Sequence, residues 1–126
     1  MDIDAFHQTL EDIAAEVPEE LLRELNGGIF VLPEVKIHPK AVDGNIYAMG
    51  EYHVELPGLG RYIVLYYGSF ERVYGAGTPN GSPRLRADIR KTLLHEIRHH
   101  VESLSGTRDL EIEDEVNIAK FNAGKK

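Results

Sequence analysis

The sequence predicts an α+β fold: a small, mostly antiparallel sheet of three to four strands packed against N-terminal helices and one long helix, with a further helix at the C-terminus. Three observations predict it. Apolar residues recur at helical spacing near the N-terminus and again beyond Ser82, whereas residues 29–67 carry short runs rich in β-branched and aromatic residues, punctuated by Gly and Pro. At 126 residues the chain has the size of one domain, so residues 1–126 are read as a single unit around one modest core.

In chain order, Phe6, Leu10, Ile13, Ala14 and Val17 form an apolar stripe behind Asp4, which is read as the N-cap of a first helix. Pro18 opens a shorter second helix through Leu25, ended by Asn26-Gly27-Gly28. Ile29 to Leu32 then reads as a strand stopped by Pro33, and Lys36 to Pro39 as a connection. Within that connection His38 precedes a proline and is expected to be extended and solvent-facing.

Ile46 to Val54 reads as a strand with Gly50 at a bulge or close approach, and Leu56 to Gly60 as a turn. Arg61 to Tyr67 is the strongest strand signal, so the two strands make a hairpin. A fourth strand would come from residues 35–40. Ser69 to Tyr74 is a helical turn or a strand extension, and Gly75 to Gly81 a mobile loop; Gly75-x-Gly77 lacks the Lys-Ser/Thr of a phosphate cradle.

Ser82-Pro83 starts the long helix, which meets no breaker before Gly106. In projection Ile89, Leu93, Ile97, Val101 and Leu104 share one face, with Leu94 beside them, while His95, His99, Glu102 and Asp88 lie on roughly the opposite side. His95-Glu96-Ile97-Arg98-His99 is a His-Glu-x-x-His pattern. Residues four apart stack on one helix face, so His95 and His99 can offer two imidazole nitrogens to one zinc ion, with Glu96 beside it as a general base for a metal-activated water. His100 projects toward the core and is read as a packed, hydrogen-bonded histidine.

Composition removes several classes of function. A formal charge of −7 argues against nucleic acid or an anionic membrane surface as partner. The longest apolar run, Tyr62 to Tyr67, is too short to span a bilayer, and the acidic start Met1-Asp2-Ile3-Asp4 does not resemble a signal peptide, so a cytoplasmic location is expected. With no cysteine, a metal must be held by His, Asp or Glu.

On three motifs taken together, Gly50-Glu51-Tyr52, Ile63 to Arg72, and His95-Glu96-Ile97-Arg98-His99-His100, the chain resembles the minimal zincin-like metallopeptidase family of small bacterial proteins. The likeness spans roughly residues 29 to 115. It implies a zincin-type fold and zinc-dependent peptide hydrolysis, with one zinc ion and a peptide or protein substrate. That family places a Gly soon after the second histidine and a ligating Asp three residues further on. Here the helix runs about one turn longer, and the nearest match is Gly106-Thr107-Arg108-Asp109, which makes Asp109 the expected third ligand.

Glu113, in the acidic start of the last helix, and Glu102, about 10 Å along the axis from His95, are the alternatives. Tyr66 and Tyr67 are candidates to contact the substrate oxyanion, and the strand Ile46 to Val54 could receive an extended peptide along its edge. A zincin-like scaffold without activity, serving as a protein- or peptide-binding module, is the competing function, because a fold does not guarantee its chemistry.

Overall fold

The computed structural model describes residues 1–39, 46–55 and 57–106. Helix α1 (Ile3–Ala15) leads the chain and buries Phe6, Leu10 and Ile13. Its cap is Asp2 rather than Asp4: the Asp2 carboxylate accepts from the Ala5 amide at 2.8 Å, and Asp4 falls in the first turn, where its charge complements the helix dipole. The second expected helix shrinks to one 3-10 turn, Glu19–Leu22. Glu24 then adopts a left-handed φ of 64°, which a continuing helix cannot accommodate.

Three strands form one sheet, β1 (Gly28–Leu32), β2 (Gly50–Glu55) and β3 (Gly60–Tyr66), in the order β1-β3-β2. The β2–β3 hairpin is antiparallel as expected, but β1 runs parallel to β3, so the sheet is mixed rather than mostly antiparallel. The hairpin folds back on itself, and its second strand takes the central position beside β1 in the same direction. No fourth strand joins this sheet among the described residues. Instead Ile37 bridges Tyr47, supported by the His38 amide donating to the Ile46 carbonyl (2.7 Å) and the Ala48 amide to the Lys36 carbonyl (2.8 Å).

Helix α2 (Tyr67–Tyr74) follows β3 with no loop between them, so Tyr67 opens a helix and does not end the strand. The segment before α3 is tied down: Asn80 exchanges two hydrogen bonds with Asp2, both at 2.9 Å, and the Thr78 hydroxyl donates to the Tyr74 carbonyl at 2.7 Å.

Helix α3 (Pro83–Ser105) begins at Ser82, whose side chain accepts from the Leu85 amide, and ends at Gly106 in the left-handed conformation, as expected. One sheet face, through Ile63 and Leu65, packs with Phe6, Leu10, Ile13, Phe70, Leu85, Ile89, Leu93 and Ile97 into the main core. On the other face Val64 and Tyr66 join Ala48 in a smaller cluster. The buried stripe of α3 is rotated from the projected one: Leu94 and Val101 are 40% and 38% exposed, whereas Glu96 and His100 are buried. The helix has two packed sides, one on the core and one on β2. Among the described residues no helix is long and apolar enough to cross a membrane.

Candidate metal centre

The centre is built where α3 crosses β2, and a missing side chain sets its dimensions. A Cβ added to Gly50 would lie 2.9 Å from the Thr92 methyl, 3.2 Å from the Val64 carbonyl oxygen and 3.4 Å from Cγ of Glu96. Glycine therefore lets the helix press its Thr92 and Glu96 side directly onto the strand. Of the two roles expected for Gly50, close approach is the one observed, since it sits in regular β2–β3 register with Leu65.

On the groove side of this crossing His95 and His99 stand one turn apart, their rings edge to face with centroids 4.7 Å apart. The two Nε2 atoms converge to 3.2 Å. Two nitrogens held tetrahedrally by one zinc ion at about 2.0–2.1 Å lie about 3.3 Å apart, so this pair fits the group that the spacing implies. Glu96 is only 6% exposed and points into the same groove.

The groove has two halves that meet at His38, Ala48, Gly50 and Glu96. One, about 250 Å³, continues past His99 to Glu51, Tyr52 and His53. The other, about 330 Å³, continues past His95 to Ile46, Tyr47, Met49, Asp88, Lys91 and Thr92. The first half is walled mainly by polar side chains, and the second mixes apolar residues with an acid and a base.

Behind the pair, His100 locks the helix in rotation. It is fully buried, with Nε2 2.7 Å from the Arg23 carbonyl and Nδ1 2.9 Å from the Tyr52 hydroxyl. A carbonyl only accepts, so Nε2 donates to Arg23, while Nδ1 pairs with the Tyr52 hydroxyl. The packed role read from the sequence is the one observed.

A second polar cluster lies on the opposite face of β2. Glu51 Oε1 receives the Tyr66 hydroxyl at 2.5 Å and Lys36 Nζ at 3.2 Å, and His53 Nε2 stands 3.3 Å away while its ring stacks on Tyr62. Burial pushes the Glu51 carboxyl up, but the hydrogen bonds from Tyr66 and Lys36 with the nearby Lys36 charge outweigh it and hold the group below its ordinary range. Tyr66 is pushed far up by burial and by its bond to Glu51.

The remaining predicted residues fall as follows. Tyr66 and Tyr67 both have their hydroxyls engaged within the fold, Tyr67 with the Met1 carbonyl and Glu71 at 3.1 Å each, and neither lines the groove. Burial and the Glu71 contact push Tyr67 up to about 12. Glu102 lies 3.6 Å from Nε of Arg98 on the preceding turn. Asp109, Glu113 and the expected last helix lie outside the described residues. Among the described residues no group of three His, Asp or Glu is placed to hold one metal ion.

His38 is the residue that sequence reasoning sets aside. It lines both halves of the groove, yet nothing in its local sequence pairs it with α3; the bridge between Ile37 and Tyr47 and the His38 amide bond to the Ile46 carbonyl bring it there.

Comparison with known proteins identifies a family and a similar fold. The family profile of the zincin-like metallopeptidases matches residues 43–117, which take in β2, β3, α2 and α3. A solved structure, a conserved hypothetical protein from T. thermophilus, is similar with a TM-score of 0.66 and 40% identity, over 82% of this chain and 96% of that one. A search of curated proteins finds no significant match.

Proposed function

The chain belongs to the zincin-like metallopeptidase family, and from that premise we propose that it is a zinc-dependent peptidase acting on peptide or protein substrates in the cytoplasm. The observation that carries the reading is the convergence of His95 and His99 Nε2 to 3.2 Å beside the buried Glu96, in one groove. His95 and His99 would hold the metal, with Asp109 as the third ligand and Glu113 or Glu102 as alternatives. Lewis-acid polarisation of a carbonyl and of water is the chemistry that zinc supplies when bound.

The protein's own groups do the rest. An extended peptide lies in the groove along β2, the sheet's edge strand, with its scissile bond where the two halves meet. Glu96 takes the proton from the attacking water and then delivers it to the leaving amine. Its burial removes competing solvent and leaves the carboxylate a short path to both.

Zinc analysis and peptide hydrolysis test the reading together. The purified protein is expected to take up one zinc ion per chain. His95→Ala or His99→Ala should abolish uptake, and Glu96→Gln should keep the metal and lower kcat by at least about 100-fold. No uptake on reconstitution at neutral pH would sink the proposal. Stoichiometric uptake without cleavage across a broad peptide library would favour the binding-module function instead.

A further inference from the structure

We propose that His38 is a catalytic residue whose imidazole donates a hydrogen bond to the oxyanion formed at the scissile carbonyl. The inference rests on the peptidase reading above and adds a group to it. Among the described residues four are common to both halves of the groove: His38, Ala48, Gly50 and Glu96. A carbonyl attacked by water that Glu96 deprotonates must sit beside Glu96, in that shared region.

Attack puts negative charge on the carbonyl oxygen, and a pre-positioned donor there is worth more than any contact made only to the substrate. Glu96 is committed to the water proton, and Ala48 and Gly50 carry no side-chain donor. Among the described residues His38 is the one shared residue whose side chain carries a ring N–H, and it comes from the segment paired with Ile46 and Tyr47, not from α3. It shares one half with His99 and the other with His95.

The ring is carried on a fixed support, as oxyanion stabilisation requires. The His38 amide donates to the Ile46 carbonyl at 2.7 Å, and the Lys36 carbonyl accepts from the Ala48 amide at 2.8 Å. Ile37 bridges Tyr47 between them, and the Lys36 amide donates to the fully buried Ser69 hydroxyl at 3.0 Å. The proton balance is simple: water loses its proton to Glu96, the carbonyl carbon gains the new C–O bond, and His38 shares its N–H with the oxyanion without transferring it. When the C–N bond breaks, Glu96 returns the proton to the amine.

The test uses the zinc-loaded full chain with His38→Ala and His38→Gln, and reads metal content, steady-state kinetics and ligand binding. His38→Ala should keep one zinc per chain and lose roughly 100- to 1,000-fold in kcat with little change in KM, and His38→Gln, which retains a donor, should recover part of the loss. In the Glu96→Gln background, a peptide with a phosphonate at the scissile position mimics the tetrahedral anion. Its affinity should fall at least tenfold on His38→Ala while that of the parent amide peptide stays unchanged.

Equal weakening of both ligands, or of neither, would overturn the assignment. Loss of zinc in His38→Ala would also overturn it, by making the residue a ligand. If wild-type protein cleaves no peptide but His38 still discriminates phosphonate from amide, the peptidase reading fails and the anion-donor role of His38 stands.

Discussion

Gly50 and His100 show how single residues hold the two faces of α3 in place. The hydrogen at Gly50 lets the helix rest on β2, and an alanine there would press on the Thr92 methyl and on the backbone oxygen of Val64, neither of which is the tip of a flexible chain. Gly50→Ala should cost about 1–3 kcal/mol in urea unfolding and displace Glu96, lowering activity by more than the stability loss accounts for. An unchanged unfolding midpoint would show that the helix can shift away without loss. His100→Ala would remove the side chain that holds the Arg23 carbonyl and the Tyr52 hydroxyl and would open a cavity in place of a fully buried ring, at a cost of about 3 kcal/mol. Tyr52→Phe removes one partner of the same pair, and a double-mutant cycle between the two should give a coupling of at least about 0.5 kcal/mol.

Among the elements, the edge strand β2 works on both of its faces. The α3 face meets Thr92 and Glu96 at Gly50, and the outer face carries the Glu51 cluster, which borders one half of the groove through Glu51 and His53 and in which Lys36 from the connection and Tyr66 from β3 meet on one carboxylate oxygen. The sign of its pH dependence follows from the lowered carboxyl. Stabilisation is fully present above the ordinary carboxyl value of 4.5 and is lost as pH falls through the lower value in the fold. Glu51→Gln should therefore flatten part of the decline in stability at and below pH 4.5, measured by chemical unfolding across pH. A mutant curve parallel to wild type there would remove the cluster from the acid response.

The sequence is most legible where local chemistry decides the outcome: the start of α3 at Ser82-Pro83, its stop at Gly106, the β2–β3 hairpin, and the helical stacking of His95 on His99. It is less legible where distant contacts decide. The direction of β1 depends on which strand the hairpin presents to it, and Leu94 and Val101 are exposed because β2 claims a second side of the helix. His38 reaches the groove because its segment pairs with Ile46 and Tyr47 further along the chain, a pairing with no periodic signature.

At the scale of the whole molecule, the core and the proposed metal centre are separate, and that separation has a thermodynamic consequence. Phe6, Leu10, Ile13, Ile63, Leu65, Phe70, Leu85, Ile89, Leu93 and Ile97 form one buried cluster across α1, the sheet, α2 and α3, and neither His95 nor His99 belongs to it. A fold of this kind does not wait for zinc as a zinc finger does. Zinc held at the proposed site would then act as an ordinary ligand of the folded state, raising stability by RT ln(1 + [Zn]/Kd), about 2.7 kcal/mol at a hundredfold excess over Kd. For a chain of 126 residues that is a rise of roughly 10 °C in Tm. Chelator-treated protein should remain folded with a cooperative thermal transition, zinc should raise that transition by about this amount, and His95→Ala and His99→Ala should remove the rise while leaving the metal-free transition close to wild type. A chelated protein without a cooperative transition would show instead that the centre is part of what folds the chain, and would move His95 and His99 from the groove's chemistry into the stability of the domain.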